Sequence, residues 1–569
     1  MTYTAVTFAP VQGFILASRK LRDLYGSSLL ISHLACAQAR DAEIMGHLVV
    51  SPAEIKGSRG VPNVLVIRGD YGKAQAEAAL LACWRQVLTS CREWIQTYFN
   101  NQPDLRSPPF NWSSSWKACE LHSWEMFHGQ GSSIQEARKV LAIGKQQRSW
   151  SIPNWTGESS TLSSADAVVR PTMGAVQDPR TLRPGTIQRE ARAFLQALCQ
   201  SRDLGPAFAG AKEEISITEL VKRLITYPAI ARTALSTTGQ PLTEQALQTL
   251  LPERLQRLTG MGAAEDAAAD KPESIVWFMA DGDGIGSHLE SLATVRGSEE
   301  DALKDFSRSM RTWAAGLYQE VPKKVPRHAM VVYAGGDDLF GALHESIPGE
   351  ADLNTDHLWS WLEAYQELWS RANQAADANL PPLTVSMGLV WADTSVPQRE
   401  ALQHARLAEA SAKARGKNRF ALRLVYANGN HLEWSCPWSW LQPIRSHYTD
   451  REGRSLKRSH DGKPPSWRHL AEDLHWLQSR QAIAYLPDDS TARAANEASC
   501  LATARSLWKA YFPCCELPSE AASDASAFQA SFTTPEAGRR FDQWLLDLGR
   551  VMAGLEKHRP SRISVGVGP

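Results

Sequence analysis

Val331-Val332-Tyr333-Ala334-Gly335-Gly336-Asp337-Asp338-Leu339-Phe340-Gly341-Ala342-Leu343 is the stretch on which the reading of this chain turns. Two apolar arms flank Gly-Gly-Asp-Asp, the pattern of a β-hairpin whose tight turn needs glycine at positive φ. Such a turn tolerates one aspartate. Two adjacent carboxylates between buried strands repel each other and are costly to desolvate. A divalent cation, which prefers hard oxygen ligands, would remove that cost. A second acidic cluster, Asp281-Gly282-Asp283-Gly284-Ile285-Gly286, ends the apolar run 275–280. That run reads as a buried strand, and its glycines would let backbone N–H groups approach an anion closely. If this strand lies beside the hairpin, Asp281 or Asp283 and Asp337 or Asp338 face one another across a metal site.

The 569 residues suffice for about three to five domains. Sixty-one basic residues balance sixty-one acidic ones, so no global field draws the chain to nucleic acid, and RNA contacts must come from local patches. At 43% hydrophobic and 21% charged, the composition is that of a folded globular protein. The nine cysteines are scattered without a Cys-x-x-Cys, which excludes a disulfide framework or a thiolate zinc site. No signal peptide and no run of eighteen apolar residues is present. The expectation is a soluble, cytoplasmic protein with no membrane partner.

Residues 2–8 alternate as a strand, and 11–40 carry apolar positions at helical spacing. Short strands at 47–51 and 63–68 precede a long helix at 73–100. This β-α-β-β-α order is a ferredoxin-like half. The same order returns from 275: strand 275–280, helix 298–320, hairpin arms 329–334 and 339–343, helix 356–377, strand 383–391, helix 401–414 and strand 419–425. The expected architecture is α+β, with two ferredoxin-like palm or cyclase domains joined by a mostly helical region and followed by a helical domain. The boundaries are 1–130 for the first palm, 131–272 for the joining region, 273–428 for the second palm and 429–569 for the C-terminal helices. Residues 263–272 read as a linker and His460-Asp461 as a surface turn. Only the second palm carries acidic clusters, so one half binds or positions while the other does chemistry.

Three stretches together resemble one family. Residues 8–27, from Phe8-Ala9-Pro10-Val11-Gln12-Gly13 to Leu24-Tyr25-Gly26-Ser27, are similar to the opening of the first palm in the large subunit of type III CRISPR effector complexes. The Cmr type (type III-B) is the variant they most resemble. Val61-Pro62-Asn63 stands where that family has its Pro-Asn strand, and Gly335-Gly336-Asp337-Asp338 matches its polymerase/cyclase motif. Residues 412–420, Ala-Lys-Ala-Arg-Gly-Lys-Asn-Arg-Phe, resemble the helix-to-strand segment of that palm and of diguanylate cyclases. Many relatives begin with a histidine-aspartate nuclease domain; this sequence opens at the palm, so no DNA cutting is expected. Relatives also hold zinc on four cysteines, where Ser160, Ser163, Ser216 and Glu219 would stand here. Neutral hydroxyls do not hold zinc, so no zinc is expected.

The resemblance implies the partners: other subunits of an RNA-guided complex, with guide RNA and target RNA reached mainly through it. It also implies an ATP-polymerising nucleotidyltransferase that makes cyclic oligoadenylate when the complex binds target RNA. A ribose hydroxyl would attack an α-phosphate while pyrophosphate leaves, with two Mg²⁺ or Mn²⁺ ions stabilising both oxygens. Asp283 and Asp337 come first as metal ligands, then Asp338, then Asp281. The N–H groups of Gly282, Gly284 and Gly286, with Gly335 and Gly336 at the hairpin, would cradle the triphosphate. Lys417 or Arg419 would neutralise it. Arg19, Lys20 and Arg22 form a basic face, for RNA, for acceptor ATP or simply solvated. Two alternatives stay open: a stand-alone nucleotide cyclase, and a structural large subunit without nucleotide synthesis.

Overall fold

The computed structural model of the chain describes residues 1–53, 55, 59–102, 109–148, 155, 158–175, 183, 185–236, 240–251, 274–324, 329–344, 353–374, 380, 382–393, 395–459, 462–484, 490–513, 515 and 541–558. The 263–272 linker and the His460-Asp461 turn lie outside them.

The first sheet is built from β1 (Tyr3–Ala9), β2 (Leu48–Ser51), β3 (Leu65–Arg68) and β4 (Glu125–Gly131) in the antiparallel order β2-β3-β1-β4, the ferredoxin-like arrangement. Strand alternation divides its two faces. Val6 and Phe8 point into a large core with Leu65 and Ile67, covered by α1 (Leu21–Ile44) and α2 (Lys73–Asn100). Ala5 and Phe127 face the other way, onto α3 (Ile134–Gln146). The closing pair β4–α3 spans the expected boundary at 130, and α3 buries Ile134, Ala137 and Leu141 at helical spacing. The helix expected over 11–40 is broken: a short turn of helix ends at Leu16, and α1 starts afresh at Leu21, where the Asp23 carboxylate accepts from the Lys20 backbone N–H.

The second sheet contains β5 (Ser274–Asp283), followed by α4 (Ile285–Arg296) and α5 (Glu299–Lys324), then β6 (Ala329–Gly335) and β7 (Asp338–His344). It continues through α6 (Thr355–Gln374), β8 (Thr384–Asp393), α7 (Gln398–Ala414), β9 (Arg419–Val425) and β10 (His431–Pro437). The order β10-β9-β8-β5-β7-β6 embeds the same four-strand arrangement, with β9 parallel to β8 and β10 added outside. Strand β5 is apolar from Ile275 to Ala280 because both its faces are covered there. Val276 and Phe278 pack under α5, α6 and the C-terminal helix α8 (Phe541–Leu555). Trp277 packs with Val332, Phe340 and Leu24 of α1 on the opposite face.

Two large cores therefore organise the described residues. Helices between 186 and 251 share the first core with β1, and α8 belongs to the second core, where the Trp544 indole N–H donates to the Ser435 carbonyl at 2.7 Å. Neither region packs as a module of its own. No helix among the described residues is long and apolar enough to cross a membrane.

The basic face expected on the first helix is largely absorbed into the fold. Arg22 donates to Thr226, and Lys20 donates to the Ala207 carbonyl; Arg19 alone stays exposed. Beside them, Arg223 is fully buried and donates to Asp23 at 2.8 and 2.9 Å and to Glu213 at 2.7 Å. Burial alone would raise both carboxyls, yet the Arg223 charge holds each below its ordinary value. Removing one member of such a set strands buried charge. We expect Arg223→Ala to destabilise the first unit by about 3–5 kcal/mol, read as a lowered midpoint of its chemical unfolding, with the second unit's transition much less affected.

Candidate functional site

Hairpin β6–β7 lies at the edge of the second sheet, with Gly335 opposite Asp338 and Gly336-Asp337 as the turn. Gly336 takes φ +63°, the left-handed conformation that a side chain disfavours. The turn folds back over the end of β5, which pairs with β7 through Ala280 and Leu339. Gly282 makes this approach possible. A Cβ there would lie 2.9 Å from the Asp337 Cβ and 2.6 Å from the Ile285 Cδ1. Its own N–H donates to the Asp337 carboxylate.

The result is a group of three carboxyls, Asp281, Asp337 and Asp338. Burial, then the charge of Asp281, pushes Asp337 up to about 6. Asp338 keeps accessible surface but is held well above the ordinary carboxyl range by its crowded surroundings, then by Asp337 and Asp281. The charge of Asp281 thus acts on both hairpin carboxyls. Lys413 on α7 meets Asp281 in an ion pair and Glu409 at 2.8 Å. Despite its burial, these two acids keep its ammonium firmly charged.

Asp281, Asp337 and Asp338 thus come together, and the expected ranking of ligands is not that of the geometry. Asp283 is only 9% exposed, and its carboxylate accepts from the Thr384 hydroxyl at 2.9 Å, Ser386 at 2.7 Å and the Asn418 N–H at 2.9 Å. Those bonds tie β5 to β8 and to the turn before β9. Asp281, ranked last, is the strand-end acid whose charge acts on both hairpin carboxyls. Gly284 is the N-cap of α4 at φ +69°, and the space beside Gly286 is open, so the first N–H groups of α4 start next to the acidic end of β5. Lys417 is exposed at φ +64°; Arg419 is buried, bends back to the Lys417 carbonyl and is lowered by burial to about 10. The cation at the acids is Lys413. Its i,i+4 spacing from Glu409 was the available signal.

Among the described residues no three His, Cys, Asp or Glu side chains form a ready-made metal cluster. The chemistry of the acidic group nevertheless fits a hard cation: three carboxyls, no sulfur, no imidazole, and a mutual repulsion that a cation would relieve.

Elsewhere, Ser160, Ser216 and Glu219 come together as a hydrogen-bonded set. The Ser160 hydroxyl donates to Glu219 at 2.5 Å, as does the Ser216 N–H at 2.7 Å, and the Glu219 N–H returns to the Ser216 hydroxyl. Ser163 stands apart, bonded to Ala165.

The crowding at the hairpin has a measurable sign. Asp337 binds its proton up to about pH 6 when folded but only to about 3.8 when unfolded, so the folded state carries more protons between those values. Stability of metal-free protein should therefore fall as pH rises through that window. Thermal melts in chelator from pH 4 to 7 should show this decline, and Asp337→Asn should flatten it; equal slopes would refute the crowding.

Residues 275–421 match the family model "Cas10/Cmr2, second palm domain", and residues 3–52 match "CRISPR-associated protein Cmr2, N-terminal". No curated protein matches. Among solved structures, a chain of the type III-B Cmr-beta assembly in its apo state superposes with a TM-score of 0.54 at 9% identity, over 97% of this chain and 82% of that one. A chain of Cmr-beta bound to cognate target RNA gives 0.52 at 10% identity, over 98% and 83%. At such identities the structures establish the fold, and the two family matches fall on its two sheets. Residues 275–421 are therefore similar to the second palm domain of Cas10/Cmr2 and residues 3–52 to the N-terminal segment of Cmr2.

Proposed function

We propose that this chain is the large subunit of a cytoplasmic type III CRISPR effector complex. Its second palm links ATP into cyclic oligoadenylate once the guide-bearing complex engages target RNA. The observation that carries the catalytic part is the gathering of Asp281, Asp337 and Asp338 at the Gly-Gly-Asp-Asp turn, with Lys413 paired to Asp281. The fold shared with chains of Cmr-beta, one of those structures bound to cognate target RNA, supports the assembly part.

Each residue's part follows from its chemistry. The three carboxyls would hold Mg²⁺ or Mn²⁺, which when bound lowers the pKa of an attacking ribose hydroxyl and stabilises the entering and leaving oxygens. Gly336 and Gly282 let Asp337 close on the strand end. The open N-terminus of α4, at Gly284–Gly286, offers unpaired N–H groups to phosphate oxygens. Lys413 balances Asp281 and prevents three adjacent negative charges from splaying the hairpin. Asp283 holds β5 against β8 and thereby fixes where Asp281 points.

In the assembled complex with guide and target RNA, Asp337→Ala/Asp338→Ala should lower conversion of labelled ATP by at least about 10²–10³. Folding and assembly should remain, because the change relieves repulsion. Asp283→Ala should instead lower the thermal midpoint, since it strands the Thr384 and Ser386 hydroxyls and the Asn418 N–H. Undiminished turnover in the double variant would place the chemistry elsewhere; loss of turnover together with folding would make the acids structural.

A further inference from the structure

The acidic hairpin touches the first unit as well as its own sheet. Strand β6 is the outer edge, so the outward N–H and C=O groups near its turn have no neighbouring strand. One is satisfied from α5: the Ala334 N–H donates to the Tyr318 hydroxyl at 2.9 Å. The Tyr318 ring is covered by Arg59 of the first unit, whose guanidinium carbon sits 3.7 Å from the ring centroid. The other side of that guanidinium faces Tyr25 of α1, at 5.5 Å. Arg59 Nε is buried without a hydrogen-bond partner among the described residues, so this part of the guanidinium is held by rings. The next residue closes the contact. Gly60 has φ +63°, and a Cβ on it would stand 2.2 Å from the Ala334 carbonyl oxygen. A Cβ on Gly335 would come 2.9 Å from the Gly60 carbonyl oxygen. Two glycines, one from each unit, let the chains meet backbone to backbone one residue from the acidic turn. The loop is anchored behind by the Val61 N–H, which donates to the Ser32 hydroxyl of α1.

We propose that Arg59 and Gly60 are positioning residues for the acidic hairpin: the first unit sets where Asp337 and Asp338 stand, acting through Tyr318 and the Ala334–Gly335 backbone. This rests on the reading of the hairpin as the nucleotidyl-transfer site. An edge strand bonded on one side only can shift, and Arg59 with Gly60 remove that freedom. A displacement of the first unit would therefore move the carboxyls without any change in the second palm's own sheet.

The test compares Arg59→Ala, Arg59→Lys, Tyr318→Phe and Gly60→Ala in the assembled complex, by hydrogen exchange of residues 329–343 and by kcat and KM for ATP. Arg59→Ala and Gly60→Ala should speed exchange at the Ala334 amide and lower kcat about tenfold to a hundredfold with KM nearly unchanged, the signature of misplaced groups. Tyr318→Phe should reproduce the faster exchange, because the acceptor alone is lost. Arg59→Lys, which keeps charge but not the flat stack, should fall between parent and alanine. The thermal midpoint, recorded beside these, should move little for Arg59→Lys and Tyr318→Phe and fall for Gly60→Ala, whose Cβ meets the Ala334 carbonyl at positive φ. Unchanged Ala334 exchange in folded Arg59→Ala would overturn the proposal, as would a kcat loss matched only by global unfolding. If the Asp337→Ala/Asp338→Ala variant keeps its turnover, the nucleotidyl-transfer reading fails instead, while the exchange result still decides whether Arg59 positions the hairpin.

Discussion

The helix from Leu21 to Ile44 constrains everything else, because it is buried on almost every side and serves both sheets at once. Leu29, Leu30 and Leu34 fill the first core, whereas Leu24 packs against Trp277 and Phe340 of the second sheet. A helix so placed must satisfy its polar groups inside protein. Asp23 does so with Arg223, and Arg22 with Thr226. Gly26 has no side chain because a Cβ there would sit 1.9 Å from the Lys222 carbonyl oxygen. That close crossing also delivers Lys222 to the carbonyls of Phe14 and Ala17. The two palms are consequently one packed body along this helix, and the short loop Arg59–Asn63 completes the contact at its far side.

The acidic hairpin inverts the usual economy of a turn. Most of the chain obeys local rules: apolar faces buried, buried charges paired, caps filled. At Asp281, Asp337 and Asp338 three like groups are gathered instead, with the Lys413 ammonium paired to Asp281. Such an arrangement persists because surrounding elements overdetermine it. The contributions come from β5 through Gly282, from α5 through Tyr318 and from the first unit through Gly60. Perturbed carboxyls held this way are what an open cation and phosphate site needs, and they have no structural use that a single aspartate would not serve.

The family motifs and the internal order were legible in the sequence for definite reasons. Strands β5, β6 and β7 are apolar because both faces are covered, and Gly-Gly-Asp-Asp marks a turn by its need for positive φ. Helices at 73–100 and 398–414 show strong period, so their extents were close to those observed. What went unread was β4 with α3, which spans the expected boundary at 130, the helix 285–296 whose exposed face hides its period, and β10. Core sharing between residues far apart in the chain leaves no mark on local composition.

By itself, then, the sequence determined the two ferredoxin-like units, the acidic turn and the aspartates among which the site had to be found. Only the tertiary structure separated the surroundings of Asp281 from those of Asp283. Both sit on one strand at spacing two and therefore on one face, so alternation cannot separate them. Their neighbours can: Thr384, Ser386 and Asn418 surround Asp283, while Lys413 and Asp338 meet Asp281. A carboxylate's role follows from which donors, acids and cations reach it, and those arrive from segments more than a hundred residues apart in most of these pairs.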